Sequence, residues 1–166
     1  MVSITYFKNV KILVMRNIKR ISFTKEGLEN LKKQYEQLLK DREPAVKELV
    51  RAREMGDLSE NGLYKAARGR LSSIDANLRR ISLTLKLAEV NEPTNGIVGI
   101  GSIVIITDGK NEFKYSIVGA HEADPINKRI SQNSPIGRAL IGRKTNDDVV
   151  IRTPKKTISF KIVSIK

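Results

Sequence analysis

Asp57 and Glu60 stand three residues apart in MGDLSENGLY, residues 55–64. Within GDLSEN, residues 56–61, the only apolar side chain is Leu58. Paired carboxylate oxygens suit a hard divalent cation. Mg²⁺ is often held by only one or two protein carboxylates, with waters and substrate phosphates completing the shell. Phosphodiester hydrolysis by two metals places one ion to activate water and another to hold the leaving oxygen, about 3.5–4 Å apart. Two acids on one short turn cannot close such a cage alone, but they can complete a weak site that a partner protein has half built. On that reading Asp57 is the metal ligand, and Glu60 orients or deprotonates water. The alternative is local: Asp57 caps a following helix, with Glu60 at the third helical position in a capping-box arrangement. Both readings stay open, and they are compatible.

Other chemical signals are weaker. His121, Glu122 and Asp124 form an acidic-histidine group on an expected loop, where solvation is the simpler account. GIVGIGS, residues 96–102, has glycines near a strand but no helix after it, so it fails as a dinucleotide loop. The chain has no cysteine and one histidine, which excludes disulfides, thiolate zinc sites and His-rich metal centres.

The elements that must position the two acids are long. Thr24 is a candidate N-cap, with Glu26 in the first turn. Leu28, Leu31, Tyr35, Leu38, Ala45, Leu49 and Ala52 follow at alternating spacings of three and four, and Arg42 takes the one position that breaks the series. Ala67, Leu71, Ile74, Leu78, Ile81, Leu85 and Ala88 repeat the alternation without a gap. These are two coiled-coil seams, and the short tract between them forces an antiparallel helical hairpin. Arms of roughly 30 residues at ~1.5 Å each reach about 45 Å. Such a hairpin buries a single seam, so it suits reach better than stability. Pro44 is expected to kink the first arm or to break it.

After Val90 the texture changes. NEPTNGIVGIG, residues 91–101, reads as a linker. Strands are expected at 102–107 and 113–119 around an Asp-Gly turn, and at 147–153 and 157–165. Ser134, Pro135 and Gly142 bracket a short helix over 135–141. The fold class is therefore α+β. It comprises a basic extension (1–20), an antiparallel helical hairpin (21–91), a linker (92–101), and a small antiparallel sheet with a short helix (102–166).

The 166 residues carry a formal net charge of +13. Residues 1–20 hold five basic and no acidic groups, residues 21–60 are at −1, residues 61–92 at +3 and residues 93–166 at +6. A polyanionic partner or a basic solvated surface would each account for this excess. No stretch approaches the roughly 18 apolar residues of a membrane span. Lys8 and Lys11 spoil the first twenty residues as a secretory signal. The chain proper is expected to begin near Met15, with residues 1–14 a tail or an upstream-start artefact.

A helical hairpin bearing GDLSEN at its reversal, followed by ISQNSPIGRALIG and DDVVIRTP, resembles the Gre family of bacterial transcript cleavage and elongation factors. The likeness runs from about Ile21 to the C-terminus. It implies a C-terminal domain of prolyl-isomerase-like (FKBP-like) fold used for docking, and a factor that binds RNA polymerase at the rim of its secondary channel. The hairpin would thread inward and stimulate the polymerase's own cleavage of backtracked RNA 3′ ends, with no catalysis by the factor alone. Asp57 and Glu60 match the family's tip acids, which would share Mg²⁺ with the polymerase. Arg53 and Arg68 match basic positions on the arms, while Asn133, Ser134 and Pro135 match the loop facing the polymerase rim.

Arg53, Lys65, Arg68 and Arg70 could hold phosphates of extruded RNA, and Tyr64 could stack on a displaced base or pack over the end of the seam. NSPIGRALIG resembles the family's acidic branch, whereas the charge of the second arm leans to the basic one. A cytoplasmic monomer is expected. The rivals are a channel-blocking inhibitor of the same fold, disfavoured by the two tip acids, and a hairpin chaperone or RNA-binding module, for which an apolar tip would be expected.

Overall fold

The computed structural model describes residues 20–55, 62–93, 95–152 and 157–166. By compactness these fall into two units. One is residues 25–86; the other joins residues 20–24 to residues 87–166.

The first unit is the hairpin. Helix α1 spans Lys25–Glu54 and α2 spans Gly62–Leu87. Ala45, Ile74 and Leu78 form its buried cluster, with Tyr35, Leu38 and Leu71 packed against it. Every one of these is a seam position. Ala52, Ala67 and Ile81 are also buried, as the alternation of three and four requires. Arg42, the residue that interrupts the seam, reaches across to Asp75 with Nε 2.7 Å from Oδ1. Arg70 Nη1 meets Glu48 Oε2 at 2.8 Å. Both pairs are centred in sequence on residues 58–59, so the arms run antiparallel in one consistent register. Pro44 lies inside an unbroken α1. Its ring removes one hydrogen bond, which a helix of this length tolerates when the flanking turns are packed.

The second unit is a lobe built on a five-stranded sheet. Strands β3 (Ile103–Thr107), β4 (Glu112–Val118), β5 (Arg129–Ser131), β6 (Asp148–Arg152) and β7 (Thr157–Ile165) lie in the order β5-β4-β3-β7-β6. All neighbours are antiparallel except β4 and β5. The turn between β3 and β4 is built by Asp108. Its Oδ1 accepts from the amides of Lys110 and Asn111 at 2.9 and 2.8 Å, and those bonds hold its carboxyl below the usual range. Helix α3 (Pro135–Leu140) lies beside β5 and β6. Val104, Ile106, Ile117, Leu140, Val149, Ile151 and Ile162 form the core, with Phe113 and Phe160 meeting edge to face at 5.8 Å.

Two expected boundaries need correction. Residues 92–101 are more than a linker: Val98 and Ile100 are buried, and Val98 belongs to the core. The Val98 amide donates to the Arg143 carbonyl and its carbonyl accepts from the Gly142 amide, both at 2.8 Å. Gly and Asn around these apolar residues make turns, while the apolar side chains between them fill the lobe. The ends of the expected 21–91 hairpin also belong to the lobe. Ile21–Phe23 (β1) and Ala88–Val90 (β2) pair in parallel, a two-stranded sheet that three-residue segments could not announce by periodicity.

Leu140 is fully buried against the sheet. Leu140→Ala is expected to cost about 3 kcal/mol, measured as a lower denaturation midpoint of the lobe by urea titration.

Candidate functional site

Asp57 and Glu60 lie in the connection between α1 and α2, outside the described residues. The residues expected to accompany them occupy the helical turns nearest that connection. Arg53 is exposed in the last turn of α1, and Tyr64, Lys65, Arg68 and Arg70 follow one another at the start of α2. Lys65 and Arg68 are exposed, and Tyr64 is half-buried. Arg70 is engaged by Glu48 across the hairpin. That bridge is open to solvent on both sides, so it contributes little and does not bar Arg70 from a phosphate.

Asn133, Ser134 and Pro135 sit together in the lobe at the start of α3. Ser134 is the N-cap: its backbone is extended (φ −70°, ψ 160°), and its hydroxyl accepts from the Gly137 amide at 3.0 Å. Pro135 takes the first helical position, where no amide donor is needed. A Cβ on Gly137 would lie 2.1 Å from the Ser131 carbonyl oxygen, so α3 can approach β5 only with glycine there. Gly142, at φ +79°, follows the helix end as the Ser-Pro-to-Gly spacing predicts. The segment that carries the resemblance is thus also a folding unit, which leaves Asn133 and Pro135 exposed beside a half-buried Ser134.

The acidic-histidine group has a different role from loop solvation. The Glu122 side chain is only 4% exposed. Its Oε2 accepts from the amides of Thr24 (2.9 Å) and Gly119 (3.2 Å); its Oε1 accepts from the Thr24 hydroxyl and from Arg129 Nη2 (3.4 Å). Phe23 is buried and its ring stacks on His121, with centroids 5.9 Å apart. β1 passes so close that a Cβ on Gly119 would lie 2.0 Å from the Ser22 carbonyl oxygen. Asp124 closes the next turn, accepting from Asn127 Nδ2 at 2.7 Å, and this bond with the Asn127 amide holds its carboxyl below the usual range. A lone glycine at a strand end, a mark of close backbone approach, was the only hint of the Glu122 latch in the sequence.

Among the described residues no group of three or more His, Asp or Glu side chains could hold a metal ion. No helix among them is long and apolar enough to cross a membrane. Were this chain to hold Mg²⁺, Asp57 and Glu60 of the hairpin connection would be the residues expected to do so. Their oxygens fit that ion chemically but leave most of its shell to another source.

The described residues thus form a long two-helix hairpin and a lobe with an exposed loop. Comparison with known proteins identifies the family. Residues 21–90 match the family model "Transcription elongation factor, N-terminal", and residues 93–166 match "Transcription elongation factor, GreA/GreB, C-term". The chain is 42% identical over 153 residues to transcription elongation factor GreA of Thermomicrobium roseum, covering 89% of this chain and 97% of that protein. It is 43% identical over 155 residues to GreA of Mycoplasma mycoides subsp. mycoides, covering 89% and 99% respectively. The crystal structure of GreA factor homolog 1 (Gfh1) of Thermus thermophilus matches with 28% identity and a TM-score of 0.42, covering 89% of this chain and 99% of that one. The chain belongs to the GreA/GreB family of transcription elongation factors.

Removing the Glu122 carboxylate takes away one acceptor shared by the Thr24 and Gly119 amides, the Thr24 hydroxyl and the Arg129 guanidinium. Glu122→Ala is expected to destabilise the lobe by roughly 2–3 kcal/mol, with Glu122→Gln losing less because its amide oxygen still accepts. Calorimetric melting of both variants checks the order.

Proposed function

We propose that this factor binds RNA polymerase through its lobe, inserts its hairpin into the secondary channel and stimulates the polymerase to cut the 3′ end of backtracked RNA. The chain itself catalyses nothing. Asp57 and Glu60 supply carboxylate oxygens to a Mg²⁺ ion held jointly with the polymerase; bound there, the ion provides electrostatic stabilisation for phosphodiester hydrolysis. Glu60 orients the attacking water or takes its proton. Arg53, Lys65, Arg68 and Arg70 face the phosphates of the extruded RNA, and Tyr64 offers a ring to an unpaired base. Asn133, Ser134 and Pro135 meet the rim of the channel. The setting is the cytoplasm, and the factor acts as a monomer.

One observation carries this reading. The cross-hairpin pairs Arg42–Asp75 and Glu48–Arg70 are centred in sequence on the segment that Asp57 and Glu60 flank. Two acids at the midpoint of a hairpin of this length are where they can be delivered into another protein's catalytic pocket. An inhibitor that only blocked the channel would have no need of a cation-binding pair there.

The test uses stalled, backtracked polymerase. Wild-type factor is expected to stimulate Mg²⁺-dependent cleavage of the transcript. Asp57→Ala and Glu60→Ala are each expected to reduce it by at least tenfold while still competing with wild type for polymerase; undiminished cleavage by either variant removes that residue from the reading. Docking is probed separately at Ser134. Because Ser134 caps α3, Ser134→Glu alters both cap and surface, whereas Ser134→Asp keeps a good cap and adds only charge. Both are expected to weaken polymerase binding, and an unchanged affinity for Ser134→Asp would count against rim contact at this residue.

A further inference from the structure

The lobe contains a groove of about 220 Å³ whose lining includes Arg20, Ser22, His121, Gln132 and Asn133. Its polar inventory is a guanidinium, an imidazole, two primary amides and a hydroxyl, which is rich in N–H donors. Among the described residues that line it there is no carboxylate. The nearest acid in sequence, Glu122, is turned into the latch, where its oxygens accept from Thr24, Gly119 and Arg129. Among the described residues, none of the groove lining neutralises the Arg20 charge.

The walls are fixed by the packing already described. One is β1, held by Glu122 and by the buried Phe23 ring. His121 is stacked on that ring at 13° to its plane, which sets the orientation of the imidazole. Gln132 and Asn133 also line the groove, and Asn133 is followed in the chain by Ser134 and Pro135. A site with a cation, several donors and no acid is complementary to a carboxylate.

We infer that this groove receives an acidic side chain of RNA polymerase and forms a second anchor of the docking surface, next to the Asn133–Pro135 loop. The inference rests on the proposed function and names the chemistry of its partner: a carboxylate on a protein, paired with Arg20 and bonded by His121 and the Gln132 or Asn133 amide.

The experiment measures affinity of the full chain for core RNA polymerase, and transcript cleavage at saturating factor. Arg20 is exposed, so Arg20→Glu is expected to fold. It should bind at least tenfold more weakly, with cleavage at saturation unchanged. Gln132→Glu, which places an acid in the groove, should do the same, and Arg20→Lys should retain most of the affinity. Lys110→Glu, an equal charge change in the exposed β3–β4 turn, should stay within twofold of wild type. Wild-type binding and cleavage together with an Arg20→Glu affinity within twofold would overturn the groove while leaving the proposed function standing. An equal loss in Lys110→Glu would overturn it too, since overall charge would then be the cause. Loss of affinity for a single-stranded RNA oligonucleotide, with polymerase affinity unchanged, would assign the groove to phosphate instead. Failure of wild type to bind polymerase at all would overturn both readings.

Discussion

Residues 20–24 are held in the lobe by one buried carboxylate. Glu122 gathers the amides of Thr24 and Gly119, the Thr24 hydroxyl and the Arg129 guanidinium around two oxygens that are almost wholly out of water. A buried carboxylate is tolerable only when its lone pairs are met by donors, and here a cation and two backbone N–H groups meet them. The consequence is structural. Residues 20–24 are held in the lobe, Phe23 is buried, and β1 finds β2 as its parallel partner. The same commitment removes negative charge from the neighbouring groove, so one side chain shapes both the core and the surface.

The hairpin is held together differently. Its buried seam residues are small or aliphatic, and no other layer covers it within its own unit. Specificity of register then falls to polar pairs across the seam. Arg42, which breaks the apolar series, answers Asp75, and Glu48 answers Arg70. Exposed ion pairs of this kind contribute modestly to stability, but a one-residue slip would separate both at once. A register that holds along the arms also determines which residues fall at their common midpoint, and that is where this chain carries its acids.

The segment around α3 shows how a surface loop and a fold motif coincide. Ser134 caps the helix, Pro135 starts it, Gly137 allows it against β5, and Gly142 follows its end. Each has a local reason to be there, so the motif alone does not separate docking from folding. Asn133 and Pro135 nevertheless face solvent on either side of the half-buried cap.

Much of this was legible in the sequence because its physical cause is local or periodic. The seam spacing of three and four specified two helices. The tract between them was too short for anything but reversal. The Asp-Gly turn marked the β3–β4 hairpin, and Ser134, Pro135 and Gly142 bounded α3. The tertiary structure alone decided what depends on partners distant in sequence. β1, β2 and β5 are three residues each, too short for any period to appear, and they exist as strands because neighbours complete their hydrogen bonds. Val98 looked like linker and became core, because turn residues on either side hid one well-placed apolar side chain. Glu122 looked like a solvated loop acid, because two of its donors come from Thr24, 98 residues away in the chain.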